Sequence, residues 1–202
     1  MFVLTADQVG SRTSPDLVAE VTTDLKARFG RDLVLGPDRT AGDEFEVLTD
    51  RAAAALQVAL HLLRLRTWSV GLGIGRVDTP LPATAREAAG DAFVLAREAV
   101  DRAKRRPHRF ALAAGRGDGP LRGEDVEALV ELLLALRDRR SAEGWEVADL
   151  LESEGSQVAV AARLGVTPQA VSLRARVAGL REELDALPAI TALLAALDGA
   201  ST

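Results

Sequence analysis

The stretch SQVAVAARLGVTPQAVSLRAR, residues 156–176, decides the fold of the C-terminal half of this 202-residue chain. Two short helices cross steeply only where the residue at the crossing is small and the turn tolerates a positive φ. Ala161 and Gly165 meet these two requirements four residues apart. Thr167 is a good N-cap and Pro168 a good first-turn residue, so a second helix is predicted to begin there. The stretch therefore predicts a helix-turn-helix.

The same stretch predicts which side chains hold the two helices together. On the first helix, the expected inner face comprises Val158, Ala161, Ala162 and Leu164. One turn into the second helix, Val171 is the expected buried residue. Nearer the end of that helix, Leu173 or Val177 is left for burial, because the other side chains there are two arginines flanking an alanine.

The outward face of the second helix predicts contact with double-stranded DNA. No acidic residue lies between Gly155 and Gly179, whereas three arginines do. The resulting local charge of about +3 suits contact with phosphates. The side chains expected to reach base edges or phosphates in the major groove are Gln169, Ser172, Arg174 and Arg176. The alternative is a structural helical hairpin whose arginines are simply solvated.

The composition indicates a globular protein, with 48% hydrophobic and 27% charged residues. No apolar run approaches the roughly 18 to 20 residues that a membrane span needs, and the start MFVLTA resembles a strand rather than a basic signal region. We therefore expect a cytoplasmic protein without a membrane partner. The net charge of −5 argues against a protein that coats nucleic acid over its whole surface, so DNA contact is expected on one face only.

Cysteine and histidine usage limits the possible cofactors. The chain has no cysteine and only two histidines, which excludes disulfides and thiolate zinc sites and leaves too few imidazoles for a histidine metal centre. We expect neither zinc nor haem. Any metal is expected to be held by oxygen ligands.

The first half of the chain alternates strand and helix patterns. Apolar periodicity and turn residues predict strands at 2–6, 33–35, 45–48, 68–77 and 109–113, and helices at 14–29, 51–65 and 90–105. The order βαββαβαβ predicts an α+β fold with a mainly antiparallel sheet and helices on a single face, the ferredoxin-like or palm arrangement. The glycines of the strand at 68–77 are expected to mark a bulge or tight backbone packing.

The second half of the chain is predicted to be all helical. The segment GRGDGP, residues 115–120, is typical of a linker, so we expect a domain at 1–114, a linker at 115–123 and a helical domain at 124–202. A final helix near 184–197 carries an apolar stripe that packs on its own domain or on a second copy. We favour the second copy and a homodimer, because DNA readers of this kind address two half-sites. The stripe comprises Leu184, Leu187, Ile190, Leu193, Leu194 and Leu197.

Two acidic segments of the first half are expected to meet. Asp7 ends the first strand, and Gly42, Asp43 and Glu44 belong to the hairpin AGDEF. If the strand lies beside the hairpin, the carboxylates of Asp7 and Asp43 repel each other unless a cation or a shared proton intervenes. Magnesium with a nucleotide triphosphate is the usual resolution, and Gly42 lets a phosphate or base approach the backbone. The alternatives are that Asp43 and Glu44 are merely polar hairpin residues and that Asp7 caps a loop.

The segments LTADQVGSR around Asp7, AGDEF, VGLGIG at 70–75 and GDAFVLAREA at 90–99 together resemble the SatD-like family. The N-terminal region of that family is similar in fold to class III nucleotidyl cyclases and GGDEF diguanylate cyclases. The likeness spans about residues 1 to 113. It implies Asp7 and Asp43 as ligands of magnesium or manganese, with Glu44 as a candidate third ligand.

The chain also departs from the catalytic pattern that this resemblance implies. Active class III cyclases carry an asparagine and, four residues later, an arginine on the helix at 90–99, and the matching positions are Val94 and Glu98. Val94 does not hydrogen-bond, and Glu98 repels a phosphate. Arg97 lies one residue away, about 100° around the helix, and is the candidate nucleotide-binding cation.

These patterns favour one functional hypothesis and leave two others open. We expect a DNA-binding transcriptional regulator whose first domain binds a nucleotide or mediates dimerisation, without catalytic residues. The first alternative is a metal-dependent nucleotidyl cyclase or nucleotide-hydrolysing enzyme. The second is a scaffold in which the helix-turn-helix binds a protein.

Overall fold

The computed structural model of this chain describes residues 1–115 and 120–200, with side chains described through residue 199. The predicted α+β class is confirmed. Packing divides the chain into one unit of Met1–Leu129 with Thr191–Thr202 and a second unit of Val130–Ile190. Most of the predicted linker GRGDGP, residues 116–119, lies outside the described residues.

The first unit contains a five-stranded mixed sheet with the predicted βαββαβαβ order of elements. Its strands follow the order β2-β3-β1-β4-β5, in which β4 and β5 are parallel and all other neighbours are antiparallel. The mainly antiparallel sheet is therefore confirmed. The elements are β1 (Phe2–Gln8), α1 (Val18–Phe29), β2 (Leu35–Arg39), β3 (Glu44–Thr49), α2 (Ala52–Arg64), β4 (Trp68–Ile74), α3 (Asp91–Ala103) and β5 (Phe110–Ala114).

Both faces of the sheet are covered, which corrects the expectation of helices on a single face. Every residue of β4 is buried. On one face, Gly71 and Gly73 let α3 pack directly on the strand, because a Cβ at either glycine would overlap the backbone of α3. On the other face, Trp68 is fully buried and stacks edge-to-face on Phe45 with ring centroids 5.1 Å apart. The parallel pairing of β4 and β5 requires a crossover connection, and α3 forms part of it.

His61 joins α2 to α1 within the first unit. Its Nε2 lies 2.7 Å from Oδ2 of Asp24, and its ring packs against the edge of Phe29. Burial lowers the pKa of His61, an effect that Arg28 and Arg64 reinforce and that Asp24 opposes. Burial opposes the shift of Asp24, but hydrogen bonds from Arg28 and His61 hold the pKa of that carboxyl below its usual value. At neutral pH a neutral imidazole therefore faces a carboxylate.

We expect the stability of the first unit to fall as the pH falls from about 7.5 to about 5.5. With the pKa of His61 lowered in the folded state, the unfolded chain binds more protons in this window, so acid favours unfolding. Urea denaturation at both pH values measures the loss, and His61→Gln should reduce it. Gln57→Ala, an exposed and uncharged substitution on the same helix, is the control and should leave it unchanged. An equal loss in wild type and His61→Gln would contradict the assignment to His61.

The second unit is built from helices. The helices of the C-terminal half are α4 (Gly123–Asp138), α5 (Ala142–Glu154), α6 (Gln157–Leu164), α7 (Pro168–Val177) and α8 (Leu180–Ala200). The division between the units falls within α4 and within α8. A compact core joins α5, α6 and α7 and comprises Val147, Val160, Ala161, Val171, Ala175, Ala178 and Leu180.

The first turns of α4 pack with the sheet, although the predicted boundary assigned them to the helical domain. The carboxylate of Glu127, almost fully buried, accepts a hydrogen bond of 2.6 Å from the backbone N–H of Leu112. It also pairs with Arg102 and Arg106 at 3.3 and 2.6 Å. These bonds tie the start of α4 to β5, to the last turn of α3 and to the segment that follows it.

The apolar stripe of α8 is covered by the chain itself. Ile190, Leu194 and Leu197 are at most 4% exposed, whereas Leu184 is 67% exposed. The buried half of the stripe is therefore not available to a second copy, and packing of the remaining leucines on a second copy stays a prediction. Ile190, Leu194 and Leu197 are covered by apolar partners within one chain.

Candidate functional site

Helix α6 ends and helix α7 begins where the sequence predicts. Ser156 Oγ accepts from the N–H of Ala159 at 3.2 Å, and Thr167 Oγ1 accepts from the N–H of Ala170 at the same distance. Gly165 closes α6 in the left-handed conformation with φ 64°. Local capping chemistry thus sets the turn between the two helices.

The packing between these helices corrects part of the predicted inner face. Ala161 and Val171 are buried as predicted, but Val158 is 68% exposed and Ala162 is also exposed. Val160 is fully buried instead. Val158 and Val160 are two positions apart, so they point about 200° apart on the helix and only one of them reaches the core.

The end of α7 is held by an alanine rather than by either predicted aliphatic residue. Ala175, four residues after Val171, is 8% exposed. Leu173 and Val177 are exposed at 51% and 78%. The predicted burial of Leu173 or Val177 is therefore wrong, because the buried side of α7 continues from Val171 to Ala175 and Ala178.

The outward face of α7 retains three of the four predicted DNA-contacting residues. Gln169, Ser172 and Arg176 are exposed, on the same side of the helix as Leu173 and Val177. The guanidinium of Arg176 has no ion-pair partner in the described part of the chain. The outward face therefore combines one free cation, two polar side chains and two aliphatic ones.

Arg174 points away from this face. Its Nη1 is 3.8 Å from Oε2 of Glu146 on α5, and its side chain is about one-third exposed. It is two residues from both Ser172 and Arg176, which turns it about 200° from each around the helix. Arg174 is thus directed toward an acidic neighbour.

In the first unit, β1 lies beside the hairpin as predicted, and the hairpin residue directly opposite Asp7 is Glu44 rather than Asp43. Asp7 is the antiparallel partner of Glu44 on β3 and of Ser69 on β4. The N–H of Gln8 donates to the backbone carbonyl of Asp43 at 3.2 Å. Glu46 follows Glu44 on the same face of β3. We call Asp7, Glu44 and Glu46 the carboxylate row.

Two basic side chains form ion pairs with the carboxylate row. One lies on α3 and the other directly after it. Arg97 Nη2 lies 2.8 Å from Oε1 of Glu44 and 3.2 Å from Oε1 of Glu46. Lys104 Nζ lies 3.0 Å from Oδ2 of Asp7 and 3.2 Å from Oδ1 of Asp101. Arg97, the predicted nucleotide-binding cation, is therefore engaged with carboxylates of its own chain.

The titration of these groups follows their burial and their partners. Burial raises the pKa of Glu46, although the guanidinium of Arg97 opposes that change. Burial would lower the pKa of Lys104, but its hydrogen bonds to Asp7 and Asp101 outweigh that effect and raise it. The row and its cations therefore form one coupled network.

Sequence reasoning missed Glu46 and Lys104. The signals were present, since Glu44 and Glu46 alternate on one strand face, and Arg97 and Lys104 are seven residues apart on one helical face. What was absent was the crossover of α3 onto that face of the sheet, which brings the two patterns together.

The predicted metal ligands do not fit a divalent ion as they stand. Within the described residues, no group of three or more acidic or histidine side chains is arranged to hold a metal. Asp7 and Glu44 each have a cationic partner, whereas the half-buried Asp43 carboxylate makes no ion pair in the described part of the chain. Gly42 has φ 60° and open space at its Cβ position, so the hairpin tip is accessible to a ligand.

Comparison with known proteins gives no match. No protein-family model, no curated protein and no solved structure matches this chain. Across the described residues, none of the helices combines the length and apolar character needed to cross a bilayer. A functional proposal therefore depends on the side chains described above.

Proposed function

We propose that this chain is a DNA-binding transcriptional regulator. In this proposal α6 and α7 form a helix-turn-helix that reads double-stranded DNA through α7, and the first unit binds a nucleotide or mediates dimerisation. The observation that carries the proposal is the pair of capped helices around Gly165, with an exposed and acid-free outward face. Such a helix pair presents its second helix to the major groove.

The chemistry of α7 supports contact with a duplex. Arg176 is exposed and available to phosphate or guanine, and Gln169 is able to pair with adenine. Leu173 and Val177, which the structure leaves exposed, offer apolar contact to thymine methyl groups. Arg174 contributes less, because Glu146 competes for its guanidinium.

The strand order of the first unit supports a ferredoxin-like or palm domain of the SatD-like kind. The βαββαβ order with strands in the sequence β2-β3-β1-β4 agrees with that arrangement, and β5 extends it by one strand. A nucleotide would approach the open hairpin tip at Gly42 and Asp43. A ligand there regulates DNA binding only if its affinity differs between two arrangements of the recognition helices.

We expect Arg176→Ala to weaken DNA binding about 5–30-fold and to lower the salt dependence by about one released counterion. The duplex is first selected from a random pool, and affinity is then measured by fluorescence anisotropy at several salt concentrations. Arg174→Ala should lose less affinity, because that guanidinium already faces Glu146. Arg139→Ala, an exposed arginine on another segment, is the control.

If Arg176→Ala bound DNA with unchanged affinity, the assignment of Arg176 as a DNA contact would be wrong. A selection that enriches no sequence would remove the basis of the whole proposal. The same selection addresses the homodimer that we propose as the working form, because a dimer returns two half-sites separated by whole helical turns. Such a dimer cannot use the buried part of the α8 stripe.

A metal-dependent nucleotidyl cyclase or nucleotide-hydrolysing enzyme is the second candidate. The pairing of Asp7 with Glu44 beside Asp43 favours it, whereas the cations on the row and the replaced positions Val94 and Glu98 oppose it. Incubation with labelled ATP or GTP and magnesium or manganese separates the two candidates. Product formation that Asp7→Ala and Asp43→Ala abolish would favour the enzyme.

A further inference from the structure

The cationic segment over the carboxylate row is fixed in position by backbone contact. Arg97, Asp101 and Lys104 follow one another at intervals of four and three residues, so they share one face. Between them, Val100 packs against Gly71 so closely that a Cβ on Gly71 would overlap its backbone. The height of the segment above the sheet is therefore set by a rigid contact.

The row requires positive charge close to it. The side chains of Glu44 and Glu46 are 12% and 6% exposed, and Asp7 is 20% exposed. Carboxylates removed from water this far are costly when unpaired. Arg97 meets two of them and Lys104 meets the third, so all three have a partner within hydrogen-bonding distance.

We infer that Arg97 and Lys104 are tethered counterions that complete the carboxylate row in place of a divalent cation, with the Lys104 ammonium bound to Asp7 where the resemblance implies a metal ion. The chain then needs no magnesium or manganese at Asp7, and the site becomes a divalent-cation site only when Lys104 is removed. This inference goes beyond the proposed function, since it concerns the first unit alone and holds whether or not α7 reads DNA.

Lys104 is expected to compete successfully with a divalent ion for the carboxylate of Asp7. A divalent ion prefers carboxylate oxygens and carries twice the charge of an ammonium. Lys104, however, belongs to the same polypeptide, so its binding to Asp7 does not cost the translational entropy that a free ion loses. Asp101 on the next helical turn holds the ammonium from its other side. Lys104 therefore retains its place until it is replaced by an uncharged side chain.

The test compares thermal unfolding of the full chain with manganese chloride and with sodium chloride of equal ionic strength. Wild type should show the same Tm in both. Lys104→Gln should have a lower Tm in sodium chloride and should gain about 3–6 °C with manganese. The double variant Asp7→Asn, Lys104→Gln should gain nothing. The chain's other lysine, the exposed Lys26, gives the matched control Lys26→Gln, which should behave as wild type.

A titration of the wild type with manganese, followed by the electron paramagnetic resonance of the free ion, needs no variant. No retention of manganese supports the inference. Stoichiometric retention that Asp7→Asn abolishes would overturn it, because the metal would then displace Lys104. A folded Lys104→Gln that gains no stability from manganese would overturn it as well.

Discussion

Gly73→Ala is expected to destabilise the first unit by about 4 kcal/mol or more, a loss in the extreme range for a single substitution. A Cβ at this position would overlap the carbonyl of Ala92 and the amide of Ala96. Both are backbone atoms of α3, so no side-chain rotation relieves the overlap and the helix must move away from β4. Urea denaturation followed by far-ultraviolet circular dichroism measures the change.

Gly30→Ala is the matched control, since no atom lies within 4 Å of the Cβ position there and φ is −53°. It should leave stability unchanged or raise it slightly, because alanine restricts the unfolded chain more than glycine does. If Gly73→Ala lost less than about 1 kcal/mol, the close packing of α3 on β4 would be wrong.

Arg140→Ala is expected to cost the second unit about 3–5 kcal/mol. The Arg140 side chain is only 1% exposed, and its Nη2 donates to Oε2 of Glu183 at 2.5 Å. Its Nε donates to the backbone carbonyl of Ala178 at 2.9 Å, and its guanidinium stacks over Trp145. Truncation leaves a buried carbonyl without its donor and Glu183 with Arg137 as its remaining charged partner.

The neighbouring Arg139 is exposed, so Arg139→Ala should change stability by no more than about 0.5 kcal/mol. Tryptophan fluorescence during urea denaturation suits the comparison, because the indole of Trp145 contacts Arg140 itself. A similar small effect in both variants would mean that the buried pair contributes little to holding the end of α7 and the start of α8. Restoration of stability by Arg140→Lys would show that charge alone suffices there.

The order of elements, the end of α6 and the start of α7 were predictable because their signals are local. Gly165, Thr167 and Pro168 act on the backbone next to them, so the sequence alone places the turn. The rotation of a short helix is not local. Val158 and Val160 are equally apolar, and only the position of the neighbouring helices decides which of them is buried.

The site shows the same distinction. The approach of Asp7 to the hairpin was predictable from the βαββ order, and the tight packing expected at the glycines of β4 is found at Gly71 and Gly73. The pairing of Arg97 with Glu44 and Glu46 was not predictable. It depends on which face of the sheet α3 covers and on how closely α3 approaches the strands. The spacing of residues on α3 predicts neither of these.

The contact of Glu127 with β5 determines which fragments of this chain are suitable for separate preparation. Strand β5 is one of the two edge strands of the sheet, and the carboxylate of Glu127 accepts a hydrogen bond from its outward N–H at Leu112. An edge strand whose N–H groups have no acceptor can pair with a strand of another chain. An acidic side chain that accepts from such an N–H blocks this pairing. A fragment that ends at residue 114 would lack Glu127, and we expect it to self-associate through the exposed edge of β5. Any separate preparation of the sheet should therefore keep the chain through residue 129.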